Sequence, residues 1–115
     1  MGAIRLRRAY EPPDPGDGYR VLVGRIWPRG RSKAELAIDS WRKDLAPTTA
    51  LCRWFGHDPA RWGEFRRRYL RELQAADLGD LLERCRAGTE TLVFGAKDEH
   101  HDNALVLKRC LDHRP

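Results

Sequence analysis

The sequence has little of what marks secreted, membrane-spanning or zinc-binding proteins. Its 115 residues include only three cysteines, Cys52, Cys85 and Cys110, which are far apart and form no C-x-x-C pair. An odd number of widely spaced cysteines indicates neither a disulfide framework nor a zinc knuckle, so we expect reduced thiols, most of them buried. No apolar run approaches the roughly 20 residues of a membrane span, and we expect no membrane partner.

Familiar catalytic and nucleotide-binding signatures are missing as well. The chain contains no G-x-G-x-x-G, no G-x-x-x-x-G-K-[ST], no H-E-x-x-H and no known nucleophile motif. His100 and His101 are adjacent, and on a helix such side chains point about 100° apart, which disfavours a shared metal ion. The sequence therefore assigns no metal ligands, while a site formed by His57, His100, His101 and a carboxylate stays open as an alternative. It leaves any cofactor unknown and does not decide whether the chain is an enzyme.

What is present is the composition of a basic globular protein. Hydrophobic residues make up 41% and charged residues 34%, and 22 Lys and Arg against 17 Asp and Glu give a net charge of +5. Such an excess attracts phosphate-bearing partners, although many basic surfaces are simply solvated. The segment 1–10 alternates arginines with apolar residues and lacks the apolar stretch of a secretion signal, so we expect a cytoplasmic protein.

Hydrophobic periodicity predicts a single α/β domain over residues 1–115, with helices packed on a small, mostly parallel central sheet. The run TLVFGA is continuously apolar and too short for a helix, which is typical of a parallel strand covered on both faces. The proline-rich and glycine-rich segment 11–18 predicts a surface loop. The expected order is β, β, short α, β, α, α, α, β, α, with strands at 4–10, 20–27, 39–46 and 91–96.

Capping residues place the helices. Asp58 and Pro59 suit the start of an amphipathic helix over about 60–75, whose apolar positions recur at helical spacing. A further helix is expected over 78–86, ended by Gly88. The remaining expected caps are Ser32 before KAELA, Thr48 or Thr49 before ALCRWF, Gly56 after it, and Asp98 before the last helix.

The first candidate site follows the best predicted strand. Ligands collect at the carboxyl ends of strands in open α/β sheets, where helix N-termini offer free N–H groups. Here Asp98 and His101 are candidate acid/base residues for catalysis. In the alternative interpretation Asp98 is only a helix cap and the histidines lie on a surface turn. The cluster comprises Lys97, Asp98, His100, His101 and Asn103.

The second candidate site is the turn around Pro28 and Gly30. Arginine forks suit a carboxylate or a phosphate, and tryptophan offers a stacking face, so a nucleotide or sugar phosphate would fit. Alternatively, Trp27 anchors the core and Arg25 pairs with Asp39 or Asp44. The proposed binding residues of this turn are Arg25, Trp27, Arg29 and Arg31.

Two weaker candidates complete the set. His57, in the connection WFGHDP, could act as a general base or could donate to a helix-end carbonyl, as helix termini often require. Lys43 and Asp44 form an adjacent polar pair.

Five segments together resemble the motif series of the domain-of-unknown-function 488 family, in its YeaO-like branch. They are RIWPRG, DSWRKDLAPT, CRWFGHDPARW, TLVFGAKDEHH and NALVLK, and they span nearly the whole chain. The resemblance implies an α/β fold and brings no established activity. The positions that match the family pattern are Arg25, Trp27, Pro28, Arg29, Gly30, Lys43, Asp44, Pro47, Trp54, His57, Lys97, Asp98 and His101.

Two positions depart from that pattern. Gly24 stands where the family commonly has an acid, which weakens any mechanism that needs a carboxylate on this strand, and Asp102 stands where it has an asparagine. The leading hypothesis is a small-molecule site for an anionic or nucleotide-like ligand. The alternatives are nucleic-acid binding through the basic helix 60–75 and a non-catalytic adaptor role.

Overall fold

Four parallel strands form the central sheet in the order β1, β4, β2, β3. The computed structural model describes residues 2–95 and 102–113, and this arrangement confirms the expected parallel α/β fold. The central strand β4 lies between β1 and β2 and is buried along its whole length, as TLVFGA predicts. The strands are β1 (Ile4–Arg8), β2 (Tyr19–Leu22), β3 (Ser40–Trp41) and β4 (Glu90–Phe94).

The helices follow the predicted order along the chain. Ser32 caps α1 in a capping box, Thr48 caps α2, and Gly56 ends α2 in the left-handed conformation that glycine tolerates. Asp58 caps a short 3₁₀ turn that leads directly into α3. The helices are α1 (Lys33–Leu36), α2 (Thr49–Phe55), α3 (Trp62–Gln74), α4 (Gly79–Ala87) and α5 (Asn103–Asp112). Among the described helices, none combines the length and apolar character needed to cross a membrane.

The two faces of the sheet are covered differently. One face packs against α2 to α5 and forms the main core, which includes Leu92 and Phe94 from the central strand. The opposite face carries a smaller cluster in which Leu22 and Val93 pack against Leu36 of α1. Alternation of side chains along each strand assigns neighbouring residues to opposite faces, so both faces of β4 are apolar and covered.

All four predicted strands are shorter in the structure, β4 by one residue, since it is Glu90–Phe94 and not 91–96. β1 ends at Arg8 and β2 at Leu22. The last bonds that these strands make to β4 run from the Ala9 N–H to the Phe94 carbonyl (2.6 Å) and from the Val23 N–H to the Val93 carbonyl (3.1 Å). The expected strand 39–46 is only two residues long and continues as a 3₁₀ turn over Lys43–Leu45.

The segment 11–18 is more ordered than a plain surface loop. It contains a 3₁₀ turn, Pro15–Asp17, with Pro15 in its first turn and a capping box from Asp14. Asp17 is buried and pairs with the buried guanidinium of Arg20, which fixes the segment against the sheet.

Two further expectations are wrong. The last helix is capped by Asp102, whose carboxylate accepts from the Ala104 N–H (2.7 Å), and not by Asp98. The cysteines are free thiols, yet Cys52 is exposed and the other two are half-buried.

Candidate functional site

A cleft of about 420 Å³ opens at the carboxyl edge of the sheet. Because all four strands are parallel, the segments that leave them meet at this edge. The segment after each strand contributes to the cleft lining. The contributing residues are Tyr10 after β1, 24–29 after β2, Pro47 after β3 and Gly95 after β4. The end of β4 therefore borders the same cleft as the WPRG bend.

Trp27 forms a wall of this cleft. Its indole N–H donates to the Arg31 carbonyl (2.6 Å) and its ring meets that of Trp41 edge-on, with centroids 5.3 Å apart. Trp41 in turn donates from its indole N–H to the Gly24 carbonyl (2.7 Å). The side chain of Trp27 is half-buried, so it both anchors the bend and presents part of its surface to the cleft.

Two exposed arginines of the same segment border the cleft. Arg25 donates to the Pro47 carbonyl (3.0 Å), so the predicted pairing with Asp39 or Asp44 is wrong. Arg29 lines the cleft and forms no ion pair with any carboxylate of the described residues. Its guanidinium is thus available to an anion.

His57 lies at the far end of the cleft, on the turn after α2. Its backbone adopts φ 56°, in the left-handed region that non-glycine residues seldom occupy. The imidazole makes no hydrogen bond to a described residue, so the predicted donation to a helix-end carbonyl is not observed. The N–H groups of Gly56 and Asp58 instead satisfy the carbonyls at the end of α2.

Beside His57 the cleft continues into an inner compartment of about 80 Å³. Its innermost side is formed by the buried rings of Phe55 and Phe65, which stack with centroids 4.3 Å apart. The two spaces share part of their lining: Pro47, Cys52, His57, Asp102 and Asn103. Although Cys52 is exposed overall, partial desolvation where it lines the cleft raises the pKa of its thiol, which favours the neutral form.

The N-terminus of α5 also reaches the cleft. Asn103 donates from Nδ2 to the Val23 carbonyl (3.1 Å) and joins the helix to the end of β2. The carboxylate of Asp102 already occupies the first turn of the helix. An anion at this helix terminus, where we expected one, would meet the negative charge of Asp102. Arg25 and Arg29 are therefore better partners for an anion than the helix terminus is.

Lys43 and Asp44 lie outside the cleft lining. The ammonium of Lys43 sits 4.1 Å from the centroid of the Trp41 ring, a cation–π contact. Asp44 accepts hydrogen bonds from Arg42 (2.8 and 3.0 Å), which hold the pKa of this carboxyl below its usual range. Arg42 also pairs with Asp80 on α4, so these residues join β3 to α4.

Lys97, Asp98 and His101 fall outside the described residues, and their catalytic or binding roles stay predictions. Among the residues that line the cleft, sequence reasoning did not propose Tyr10, Cys52 or Asp102 as site residues. Tyr10 follows a strand, which is a signal that could have identified it, whereas nothing local distinguishes Cys52 or Asp102.

The comparisons with known proteins place the chain in a family. Residues 3–114 match the family described as the inactive DUF488-N3 subclade, and the chain belongs to that family. It is 38% identical over 109 residues to YeaO of Escherichia coli K12, covering 90% of this chain and 92% of that protein. It is 39% identical over 112 residues to Rv3073c of Mycobacterium tuberculosis, covering 96% and 95%. Both relatives are described as uncharacterised proteins, and no solved structure matches the chain.

Proposed function

We propose that the cleft binds an anionic, nucleotide-like small molecule and holds it without chemical conversion. One observation carries this proposal: two exposed guanidinium groups, of Arg25 and Arg29, and two aromatic rings, of Tyr10 and Trp27, border one cleft at the carboxyl edge of a parallel sheet.

The cleft has the dimensions and chemistry of a ligand site. Its volume of about 420 Å³ lies within the range of small-molecule sites, roughly 300 to 1,000 Å³. Arginine forks recognise phosphate and carboxylate groups, and no described carboxylate neutralises Arg29. Aromatic side chains such as Trp27 offer a flat surface to a ring.

Two observations favour binding over chemistry. Cys52 is exposed overall, yet partial desolvation where it lines the cleft raises the pKa of its thiol, and a neutral thiol is a poor nucleophile. The family is described as an inactive subclade. The catalytic alternative uses Asp98 and His101 as acid and base, and it predicts that the bound molecule is converted.

The experiment is a thermal-shift screen with nucleoside monophosphates, sugar phosphates and carboxylates. A ligand at 100 times its Kd stabilises the native state by about 2.7 kcal/mol. Arg29→Ala should abolish the shift, whereas Arg67→Ala, which removes an exposed arginine of α3 outside the cleft lining, should leave it unchanged. No shift with any anion contradicts the proposal.

The fate of the bound molecule separates binding from catalysis. After long incubation, mass spectrometry should recover the ligand intact. If the ligand is converted by the native chain but not by His101→Ala, the catalytic alternative holds and the non-catalytic part of the proposal is wrong.

A second candidate function is polyanion binding by the exposed surface of α3. Arg61 and Arg68 both lie over the Trp54 ring, 5.3 and 4.2 Å from its centroid, an arrangement that suits nucleic acid. Glu64 weakens this surface because it pairs with Arg67 and Arg68. The test is binding of a single-stranded oligonucleotide at several salt concentrations, with Arg68→Gln as the variant. No binding at low salt removes this candidate.

A further inference from the structure

A buried carboxyl lies at the end of the sheet opposite to the cleft. Glu90 is the first residue of β4, and its partners in the ladder are Ile4 of β1 and Tyr19 of β2. Because side chains alternate along a strand, Glu90 points to the same face as Leu92, which packs in the main core with Leu81 of α4. The carboxyl is therefore enclosed on the face of the sheet that α4 covers.

This enclosure gives the carboxyl no hydrogen bond. Glu90 is 0% exposed, and neither of its carboxyl oxygens has a hydrogen-bond partner among the described residues. Burial of a neutral carboxyl without a partner has a moderate cost, whereas a buried carboxylate requires a cation or water. Loss of the proton from Glu90 must therefore change what surrounds this group.

The charged groups that face Glu90 belong to α4. Burial is the main cause that raises the pKa of Glu90 to about 7; Asp80 adds to this effect and Arg84 opposes it. The Cys85 thiol, whose pKa is raised chiefly by burial, also senses the charge of Glu90. Arg84 is thus the cation of α4 that favours an ionised Glu90. The other groups on the packed elements are Ile4 of β1, Tyr19 of β2 and, beside Cys85, Asp112 of α5.

In the structure, Arg84 contacts an aromatic ring and not the carboxyl. Its guanidinium lies over the Tyr19 ring, 4.2 Å from the centroid, and it forms no ion pair with a carboxylate of the described residues. Tyr19 and Glu90 are ladder partners, so the ring and the carboxyl are neighbours on one face of the sheet. Arg84 is exposed, and a rotation of its side chain can exchange the ring for the carboxyl.

We propose that Glu90, Arg84 and Tyr19 form a proton-operated switch at the start of β4. While Glu90 is protonated, the guanidinium stays on the Tyr19 ring. Once Glu90 is ionised, Arg84 leaves the ring and pairs with the carboxylate, because the opposite charge offsets the hydration that burial has removed. The exchange also withdraws one positive charge from the outer surface of α4, where Arg84 and Arg86 are both exposed.

NMR of the Arg84 side-chain protons between about pH 5.5 and about pH 8.5 tests the exchange. A guanidinium over an aromatic face lies in the ring current, so these protons should resonate upfield at the acidic end. They should lose this shift with a midpoint at about 7, and in Glu90→Gln they should keep it at every pH. Arg68, 4.2 Å from the centroid of the Trp54 ring, is the matched control and should keep its shift throughout.

A double-mutant cycle measures the new ion pair by urea unfolding. Near pH 8.5, the effect of Arg84→Met on the unfolding equilibrium constant should be about tenfold greater with Glu90 present than in the Glu90→Gln background. Near pH 5.5, where the contact with Tyr19 is the one lost, the two backgrounds should agree within about twofold. Arg86→Met, at the neighbouring exposed arginine, should act equally in both backgrounds at both pH values.

Two results would overturn the switch. One is an Arg84 proton shift that is absent near pH 5.5, that does not change with pH, or that changes equally in Glu90→Gln. The other is an equal effect of Arg84→Met in the two backgrounds near pH 8.5, which would show that water and not Arg84 compensates the carboxylate. Neither result bears on the proposed function, because the cleft lies at the other end of the sheet.

Discussion

The rings of Trp27 and Trp41 meet edge-on with centroids 5.3 Å apart, and each indole N–H donates to a carbonyl of the segment that follows β2. Trp41 belongs to β3, so a two-residue edge strand fixes the position of the bend that carries Arg29. The edge strand therefore supports the cleft without lining it.

Replacing Trp41 by leucine should loosen that bend. The variant loses one hydrogen bond and one aromatic contact, together about 2 kcal/mol of stability. We expect faster limited proteolysis within 24–31 and a weaker thermal shift with anions. Trp54→Leu, on α2 and away from the bend, serves as the control. Equal protease sensitivity of the two variants at 24–31 would contradict the role assigned to Trp41.

Glu90 makes the stability of the protein depend on pH. Its carboxyl is fully buried, neither oxygen has a hydrogen-bond partner among the described residues, and burial, assisted by Asp80, raises its pKa to about 7. The folded state therefore binds the proton more tightly than the unfolded chain does. This contribution to stability is complete below the ordinary pKa of 4.5 and is lost as pH rises through 7.

Glu90→Gln should remove this pH dependence. At pH 8.5 the variant should be more stable than the native chain by as much as roughly 3 kcal/mol, because the amide never ionises. Urea unfolding at several pH values between 5 and 9 measures the effect, with Glu83→Gln, an exposed carboxyl of α4, as the control. A native stability that is flat across this range would show that Glu90 is not the titrating group.

The backbone of His57 predicts which residues its position tolerates. At φ 56°, glycine removes the steric strain, so His57→Gly should be neutral or stabilising by up to about 1 kcal/mol. His57→Val should destabilise by about 1 to 2 kcal/mol, because β-branched side chains clash in the left-handed region. Thermal unfolding of the pair measures the difference. A valine variant as stable as the glycine variant would rule out the strain.

Among the ion pairs of the described residues, the buried pair of Asp17 and Arg20 should cost the most stability when it is broken. Asp17→Asn leaves the guanidinium of Arg20 buried without its charge partner, at a cost of about 3 kcal/mol. Asp14→Asn, an exposed position in the same segment, should cost much less stability than Asp17→Asn, because solvent screens its charge. Denaturant unfolding of the two variants tests this ranking, and equal losses would overturn it.

Much of the candidate site could be predicted from the sequence because it follows the ends of strands. The arginines and tryptophan of RIWPRG lie in the cleft lining, as the pattern suggested. The pair Lys43 and Asp44 does not, since Lys43 stacks on Trp41 and Asp44 turns toward Arg42. The side chains of adjacent residues in a 3₁₀ turn point toward whichever residues pack beside them in the folded chain. A local sequence pattern does not show which residues those are.

By itself, the sequence determined the order of the elements and the ends of α1 to α4 to within about two residues, because caps such as Thr48 and breakers such as Gly56 act on the backbone within a few residues. The tertiary structure alone decided that β4 inserts between β1 and β2, which brings Gly95 beside the bend after β2. It also decided that His57 lines the same pocket as Asn103 at the start of α5. Both results depend on packing between segments that are far apart in the chain. The free energy of this packing comes from burying apolar surfaces, and a local sequence pattern does not show which surfaces will pack together.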